Sequence, residues 1–140
     1  RMAPHRIARL RAIVNGTTNF ILSKMDAENA AYAPTLAAAQ ALGYAEPDPT
    51  ADVEGYDAVY KLAVLETICF GQAVHPDQIG RQGITSLDAA DFHQAAERGY
   101  AIKLLGVARR DPAGIVARVA PVLLPATDGL AGVRGVFNAV

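Results

Sequence analysis

Cysteine is nearly absent from this sequence, and that scarcity excludes several classes of protein. Cys69 is the single cysteine among 140 residues, so neither an internal disulfide nor a CxxC-type zinc site can form. A lone thiol within an apolar run is typical of a small core residue. It favours a reducing compartment, and we therefore expect a cytoplasmic protein.

Long hydrophobic runs and an excess of either charge are also missing. No apolar run reaches the roughly 18 residues that a membrane span needs, and the first residues lack the profile of a signal peptide. The net charge is −1, which argues against a general nucleic-acid binder, because such proteins need a basic surface. We therefore expect neither a membrane nor a nucleic acid as a partner.

The first two thirds of the chain predict one strand followed by helices. Residues 6–15, RIARLRAIVN, alternate apolar and charged residues as a strand with one solvated face does. A short strand is expected again near residues 75–79. Four helices are expected: one capped by Thr17 or Thr18, one opening at Pro34, one from about Thr50 to Phe70, and one capped by Ser86 or Asp88.

The last third of the chain is rich in strands. Residues 100–111, 114–125 and 133–140 each have strand character, and the turns DPAG and ATDGLAG separate them. Helices early and strands late, with one early strand, predict an α+β fold with helices packed on one face of a sheet. Both ends run directly into strand-like sequence, so we expect a piece of a longer protein.

The segment GYAEPDPTADVEGYDAVYK, residues 43–61, concentrates acidic residues ahead of one lysine. If Asp48 caps a helix, then Glu54, Asp57 and Lys61 share one stripe of it. The stripe continues into an apolar run, which predicts a buried face and places Lys61 where water ends. A lysine held there by Asp57 can act as a proton donor or acceptor.

Two other interpretations of this segment stay open. The charged stripe can be a solvated helix face, with an Asp57–Lys61 pair worth roughly 0.3 kcal/mol. The closely spaced oxygens also suit a calcium loop. However, the segment lacks both the D-x-[DN]-x-[DN]-G run and the glutamate at the twelfth position, so we expect no metal site.

The same segment brings a family resemblance. Residues 42–65, LGYAEPDPTADVEGYDAVYKLAVL, resemble the signature segment of homoserine dehydrogenases, with a long and specific spacing of glycine, acid, proline and lysine. IVNGTTNFIL, GYAIKLLGVA and VFNAV are similar to flanking family segments in the expected order. The resemblance covers the chain from about Arg6 to Val140.

The resemblance implies an NAD(P)-dependent oxidoreductase that interconverts L-homoserine and L-aspartate 4-semialdehyde, on the route to threonine and methionine. Residues 1–140 would be its catalytic, substrate-binding and dimerisation domain, with a mixed, largely antiparallel sheet similar to that of the C-terminal domain of glyceraldehyde-3-phosphate dehydrogenase. A homodimer through the sheet is implied. NAD or NADP would bind mainly to a nucleotide-binding domain outside this chain, since no G-x-G-x-x-G follows a strand here. We therefore expect the chain alone to bind cofactor poorly and to lack turnover.

The resemblance also implies roles for particular residues. Lys61 would exchange a proton with the substrate oxygen, and Asp57 would orient Lys61 or the substrate. Glu46 would bind the substrate's amino group, with Asp52 nearby. The pocket would be lined by Tyr44, Gly16 and Thr17. The alternative that the sequence leaves is a non-catalytic acidic module that binds a ligand or cation, or that serves oligomerisation.

Overall fold

Two long strands form the centre of the sheet in the computed structural model, which describes residues 6–140. β3 (Tyr100–Asp111) and β4 (Gly114–Pro125) form an antiparallel hairpin. β1, which comes first in the chain (Arg9–Ala12), lies antiparallel to β3. β2 (Gly80–Arg81) lies parallel to β4, so the strand order is β1-β3-β4-β2. The predicted mixed, largely antiparallel sheet is confirmed.

Five α-helices accompany this sheet in the described part of the chain. They are α1 (Gly16–Glu28), α2 (Tyr32–Ala41), α3 (Thr50–Val53), α4 (Tyr56–Phe70) and α5 (Ala89–Glu97). Short 3₁₀ turns cover Pro76–Gln78 and Gly129–Gly132. The first of these turns occupies most of the segment where a strand was expected, because Pro76 starts a helical turn that His75 caps through the N–H of Asp77. No helix in residues 6–140 is long and apolar enough to cross a bilayer.

The helix starts follow capping chemistry, with one correction. Asp88 caps α5 in a reciprocal capping box with Asp91, as the sequence predicts. The threonine cap predicted for α1 is wrong. Asn15 is the cap, and its side-chain oxygen accepts a hydrogen bond from the N–H of Thr18 at 2.8 Å. Asparagine is as good a cap as threonine or better, and here it stands one residue before the helix.

The single helix expected from Thr50 to Phe70 is also wrong. Gly55 has a φ of 87°, in the left-handed region, and it separates α3 from α4. Glycine adopts this conformation without the steric cost that a Cβ imposes. Glu54 therefore ends the short α3 and does not share a stripe with Asp57 and Lys61.

The strand predicted for residues 133–140 does not form. Within it, only Ala139 pairs with the sheet region, as an isolated bridge to Ile13. The amide nitrogen of Asn19 donates hydrogen bonds to the carbonyls of Val133, Gly135 and Phe137 at 3.1, 3.0 and 3.4 Å. Because these carbonyls accept hydrogen bonds from a side chain of α1 and not from a neighbouring strand, the segment does not form a β-ladder.

The main core lies between the helices and one face of the sheet. It contains residues from every layer, among them Ile21, Leu62 and Ala108, each fully buried. A smaller apolar cluster lies on the opposite face, where Leu105 and Leu124 pack against Ala131 in the second 3₁₀ turn. The remainder of that second face is open, which leaves one side of the sheet without helices.

Candidate active site

One buried amide joins the acidic side chains of the predicted site. The Nδ2 of Asn15 donates to Oδ1 of Asp52 at 2.7 Å and to Oδ2 of Asp57 at 2.9 Å. The Nζ of Lys61 lies 3.0 Å from the same Oδ2 of Asp57. The structure therefore brings together three predicted residues, Asp52, Asp57 and Lys61, around Asn15, the last residue of the predicted first strand.

Three elements carry this cluster. Asn15 stands at the end of the chain segment that follows β1, Asp52 lies on α3, and Asp57 with Lys61 lies on α4. Asp57 and Lys61 are four residues apart, so the helix places them on the same face. Asp57 also lies in the first turn of α4, where a negative charge interacts favourably with the helix dipole.

Lys61 lies at the mouth of an apolar groove. The groove has a volume of about 420 Å³ and is lined by apolar side chains that include Ile13, Val64 and Val140. The side chain of Lys61 is 50% exposed. A small molecule in this groove can therefore reach both the ammonium group and an apolar wall.

The sequence predicts that the stripe of α4 that carries Lys61 becomes buried after Lys61, and this prediction is wrong. Val64 and Ile68 are 59% and 73% exposed, whereas Glu66 is fully buried. The buried face of α4 runs through Ala58, Leu62 and Glu66 instead. The stripe of Asp57, Lys61, Val64 and Ile68 holds together as the helical period requires, but it faces away from the core.

The loop that carries Tyr44 and Glu46 is tied to the start of α1. The hydroxyl of Thr17 donates to the backbone carbonyl of Tyr44, and the rings of Phe20 and Tyr44 lie 5.0 Å apart. Gln40 donates to the carbonyl of Glu46 at 3.0 Å. The loop is thereby held at the same end of α1 as Asn15, with the Glu46 side chain exposed and outside the hydrogen bonds of the cluster.

Gly16 packs against the backbone of residue 136. A Cβ on Gly16 would lie 2.5 Å from the carbonyl oxygen of Val136. Only a glycine allows this approach, so Gly16 brings the C-terminal segment close to the start of α1. Gly16 is adjacent in the chain to Asn15, and the structure gives it a packing role, while its place in the substrate pocket stays a prediction.

The two remaining acids of the segment act locally. Asp48 accepts hydrogen bonds from the hydroxyl and the N–H of Thr50, and these bonds hold the pKa of Asp48 below its usual value. Burial raises the pKa of the Tyr32 phenol, and the nearby carboxylate of Glu54 raises it further. The predicted cap at Asp48 is wrong by one residue: Pro49 is the N-cap of α3, and Asp48 binds Thr50 from one residue before it.

Lys103 is a buried charged residue on β3, and its position within a strand pattern gave no sign of this burial. It is 2% exposed, and its Nζ donates to the carbonyl of Val133 and, at 3.1 Å, to Oδ1 of Asn19. Burial lowers the pKa of Lys103 to about 8, the positive charge of Arg134 lowers it as well, and Asp26 opposes both. Lys103 thus links β3 to α1 through Asn19 and to the C-terminal segment through Val133.

Residues for a metal or a dinucleotide are not grouped in the described chain. Residues 6–140 contain no cluster of three histidine, cysteine or carboxylate side chains suited to a metal ion. They also contain no strand that leads through a glycine-rich loop into a helix beside a parallel strand. These residues do not fit a complete dinucleotide site.

Fold and cluster together define a class: an α+β domain with helices on one face of a mixed sheet and a lysine–carboxylate cluster beside an apolar groove. The comparisons then name the family. The family model described as homoserine dehydrogenase matches residues 1–140. The chain belongs to the homoserine dehydrogenase family, and this membership favours the enzyme over a non-catalytic acidic module.

Curated relatives are about half identical to this chain over the part that aligns with it. The homoserine dehydrogenase of Mycobacterium tuberculosis (strain H37Rv) is 50% identical over an alignment of 144 positions, which covers 99% of this chain and 33% of the relative. That of Neisseria gonorrhoeae is 48% identical over 99% of this chain and 32% of its own length. The chain thus spans about a third of the length of the curated relatives that it matches.

Solved structures of the family superpose closely. A homoserine dehydrogenase from Thiobacillus denitrificans has a TM-score of 0.92 at 48% identity, over 95% of this chain and 31% of that one. The enzyme of S. aureus has a TM-score of 0.94 at 38% identity, over 96% and 35%. A hyperthermophilic archaeal homoserine dehydrogenase in complex with NADPH has a TM-score of 0.74 at 31% identity, over 95% and 36%.

Proposed function

We propose that this chain is the catalytic and dimerisation domain of a homoserine dehydrogenase. The full enzyme interconverts L-homoserine and L-aspartate 4-semialdehyde with NAD(P)H, in the cytoplasm, on the route to threonine and methionine. The observation that carries the proposal is the 3.0 Å contact between Lys61 and Asp57 beside an apolar groove. The chain's membership of the homoserine dehydrogenase family supports it.

The cofactor binds mainly to parts of the full-length enzyme outside this chain. This inference is supported by the similarity to the archaeal enzyme in complex with NADPH and by the absence of a dinucleotide fold in residues 6–140. The nicotinamide, when bound, supplies the hydride that reduces the aldehyde carbon.

Lys61 supplies the proton in that reduction. As negative charge develops on the aldehyde oxygen, an ammonium group within hydrogen-bond reach stabilises it and then protonates it. Asp57, 3.0 Å away, holds the ammonium group in position. In the oxidation direction, the same amine accepts the proton from the hydroxyl of homoserine.

The remaining acids bind the amino group of the substrate. An ammonium ion needs a carboxylate partner when it leaves water. Glu46 and Asp52 are the two candidates. Asp52 bonds to Asn15 at the start of α1. Glu46 lies two residues after Tyr44, whose carbonyl accepts from Thr17 on α1. In this proposal the substrate pocket is also lined by Tyr44, Gly16 and Thr17.

Replacement of Lys61 by alanine in the full-length enzyme tests the proposal. We expect kcat to fall by about two to four orders of magnitude, because the positioned proton donor is lost. Lys24→Ala is a matched control, since Lys24 also pairs with an acid four residues away, Glu28 at 2.8 Å, but lies on a different helix. Steady-state kinetics should show wild-type turnover for Lys24→Ala. Wild-type turnover by Lys61→Ala would refute the proposed catalytic role.

The homodimer is also part of this proposal. The face of the sheet without helices carries an apolar groove of about 390 Å³, lined by side chains that include Leu105, Val116 and Val122. An exposed apolar sheet face of this kind is suited to association with a second copy.

A further inference from the structure

We propose that Asn15 is a positioning residue that fixes both carboxylates of the site relative to Lys61. This inference rests on the proposed function, because it assigns a role in that same reaction. It is carried by the position of one amide group that contacts three structural elements at once, α1, α3 and α4.

The orientation of the Asn15 amide is determined by its partners. Its oxygen accepts from the N–H of Thr18 at 2.8 Å and from the Thr18 hydroxyl at 2.9 Å. Its nitrogen donates one hydrogen to Asp52 and the other to Asp57. A flipped amide would place its oxygen against two carboxylates and its nitrogen against an N–H, so only this orientation is possible.

The two carboxylates need such a clamp because their backbone does not hold them together. Asp52 lies on α3 and Asp57 on α4, and the left-handed Gly55 interrupts the helical hydrogen bonds between them. Asn15 comes from a third element and is only 4% exposed. The donor end of both hydrogen bonds is therefore buried, and these partly buried bonds limit the distance between the two acids.

The clamp also has a consequence for the position of charges. Two carboxylates that accept from one nitrogen are held close together, and the two N–H donors offset their mutual repulsion. Asp57 thereby keeps the ammonium group of Lys61 in place, and Asp52 remains available to a cationic group on the substrate. Loss of the donors should let Asp52, Asp57 and Lys61 move apart.

Two substitutions in the full-length enzyme separate this role from helix capping. Asn15→Asp is isosteric and keeps a good N-cap, but it replaces the donor with a third negative charge. Asn15→Ser keeps a good N-cap and removes the amide donors. Asp88→Asn, at the N-cap of α5, is the matched control, because it makes the converse isosteric exchange at a remote helix start.

We expect kcat/KM of both Asn15 variants to fall by about 10- to 100-fold, as small misplacements of catalytic groups do. In the folded variants kcat should fall because Lys61 moves with Asp57, and KM for homoserine should rise because Asp52 moves, while Asp88→Asn keeps the wild-type kcat and KM. Circular dichroism and the unfolding midpoint report whether the variants fold. Wild-type kcat and KM in a folded variant would overturn the inference.

A purely structural role would give different results. If both Asn15 variants unfold, or if KM stays at the wild-type value while the apparent kcat falls only in proportion to the unfolded fraction, Asn15 is a structural cap and the inference is wrong. Failure of the proposed function is distinguishable from this, because it would appear as full turnover by Lys61→Ala. Loss of turnover in Lys61→Ala together with wild-type Asn15 variants would overturn this inference alone.

Discussion

A single buried residue on α4 opposes the stability of the domain. Glu66 is fully buried among apolar side chains, and neither carboxyl oxygen has a hydrogen-bond partner in the described chain. Burial raises the pKa of Glu66 above its ordinary value of 4.5. The folded state therefore holds the Glu66 proton more tightly than the unfolded state does. The stability that this protonation contributes is present below pH 4.5 and is lost as the pH rises above that value.

Replacement of Glu66 by methionine tests this account. We expect the free energy of unfolding at pH 7 to rise by about 1 to 3 kcal/mol, since an unsatisfied polar group is replaced by an apolar one of similar size. The gain should shrink toward pH 4, as measured by urea unfolding over a pH series. Glu97→Met, at an exposed glutamate, is the control and should change stability by about 0.5 kcal/mol or less. Destabilisation by Glu66→Met would indicate that the carboxyl group has a partner.

The hinge between two helices is the decisive feature at the scale of elements. Gly55 lies between α3 and α4 as the N-cap of α4, and its φ of 87° is one that a side chain disfavours. A Cβ there would also lie 3.4 Å from the side chain of Arg81. The hinge sets the angle between the helices that carry Asp52 and Asp57, so it affects the site as well as the fold.

Gly55→Ala is expected to lower both stability and activity. The left-handed backbone should cost about 1 to 2 kcal/mol in the free energy of unfolding, and kcat/KM of the full-length enzyme should fall because Asp52 and Asp57 separate. Gly71→Ala is the matched control, at the other end of α4, with a φ of 67° and open space around it. It should lose similar stability and keep its activity. Equal activity of the two variants would show that the hinge does not act on the site.

The open sheet face is the main feature at the scale of the whole molecule. Helices cover one face of the sheet, and the 3₁₀ turn Gly129–Gly132 covers only part of the other. Val116 is 48% exposed on the uncovered part, beside Val122 and Arg118. This apolar area is the surface through which we propose that two copies associate.

Val116→Asp in the full-length enzyme tests that surface. A charge buried at an apolar interface has no partner, so the dissociation constant of the dimer should rise by at least tenfold in sedimentation equilibrium. Leu42→Asp, at an exposed leucine near the end of α2, controls for added negative charge and should leave the dimer intact. An unchanged dimer in Val116→Asp would place the interface elsewhere.

The features of this protein that depend on local interactions could be predicted from its sequence. The long strands β3 and β4, the cap at Asp88 and the four-residue spacing of Asp57 and Lys61 depend on neighbours along the chain, so their residue types were sufficient. The resemblance of residues 42–65 to a family signature added the candidate site residues, whose roles remain proposals. The α+β class also followed from the order of helices and strands.

Only the tertiary structure decided which residues meet across the chain. The amide of Asn15 reaches Asp52 and Asp57 from about forty positions away, and Asn19 removes the carbonyls of residues 133–137 from strand pairing. The direction that α4 presents to the core was also decided there, and it buries Glu66 while Ile68 faces outward. These outcomes depend on contacts between distant segments, whose free energies exceed the local preferences that a sequence pattern records.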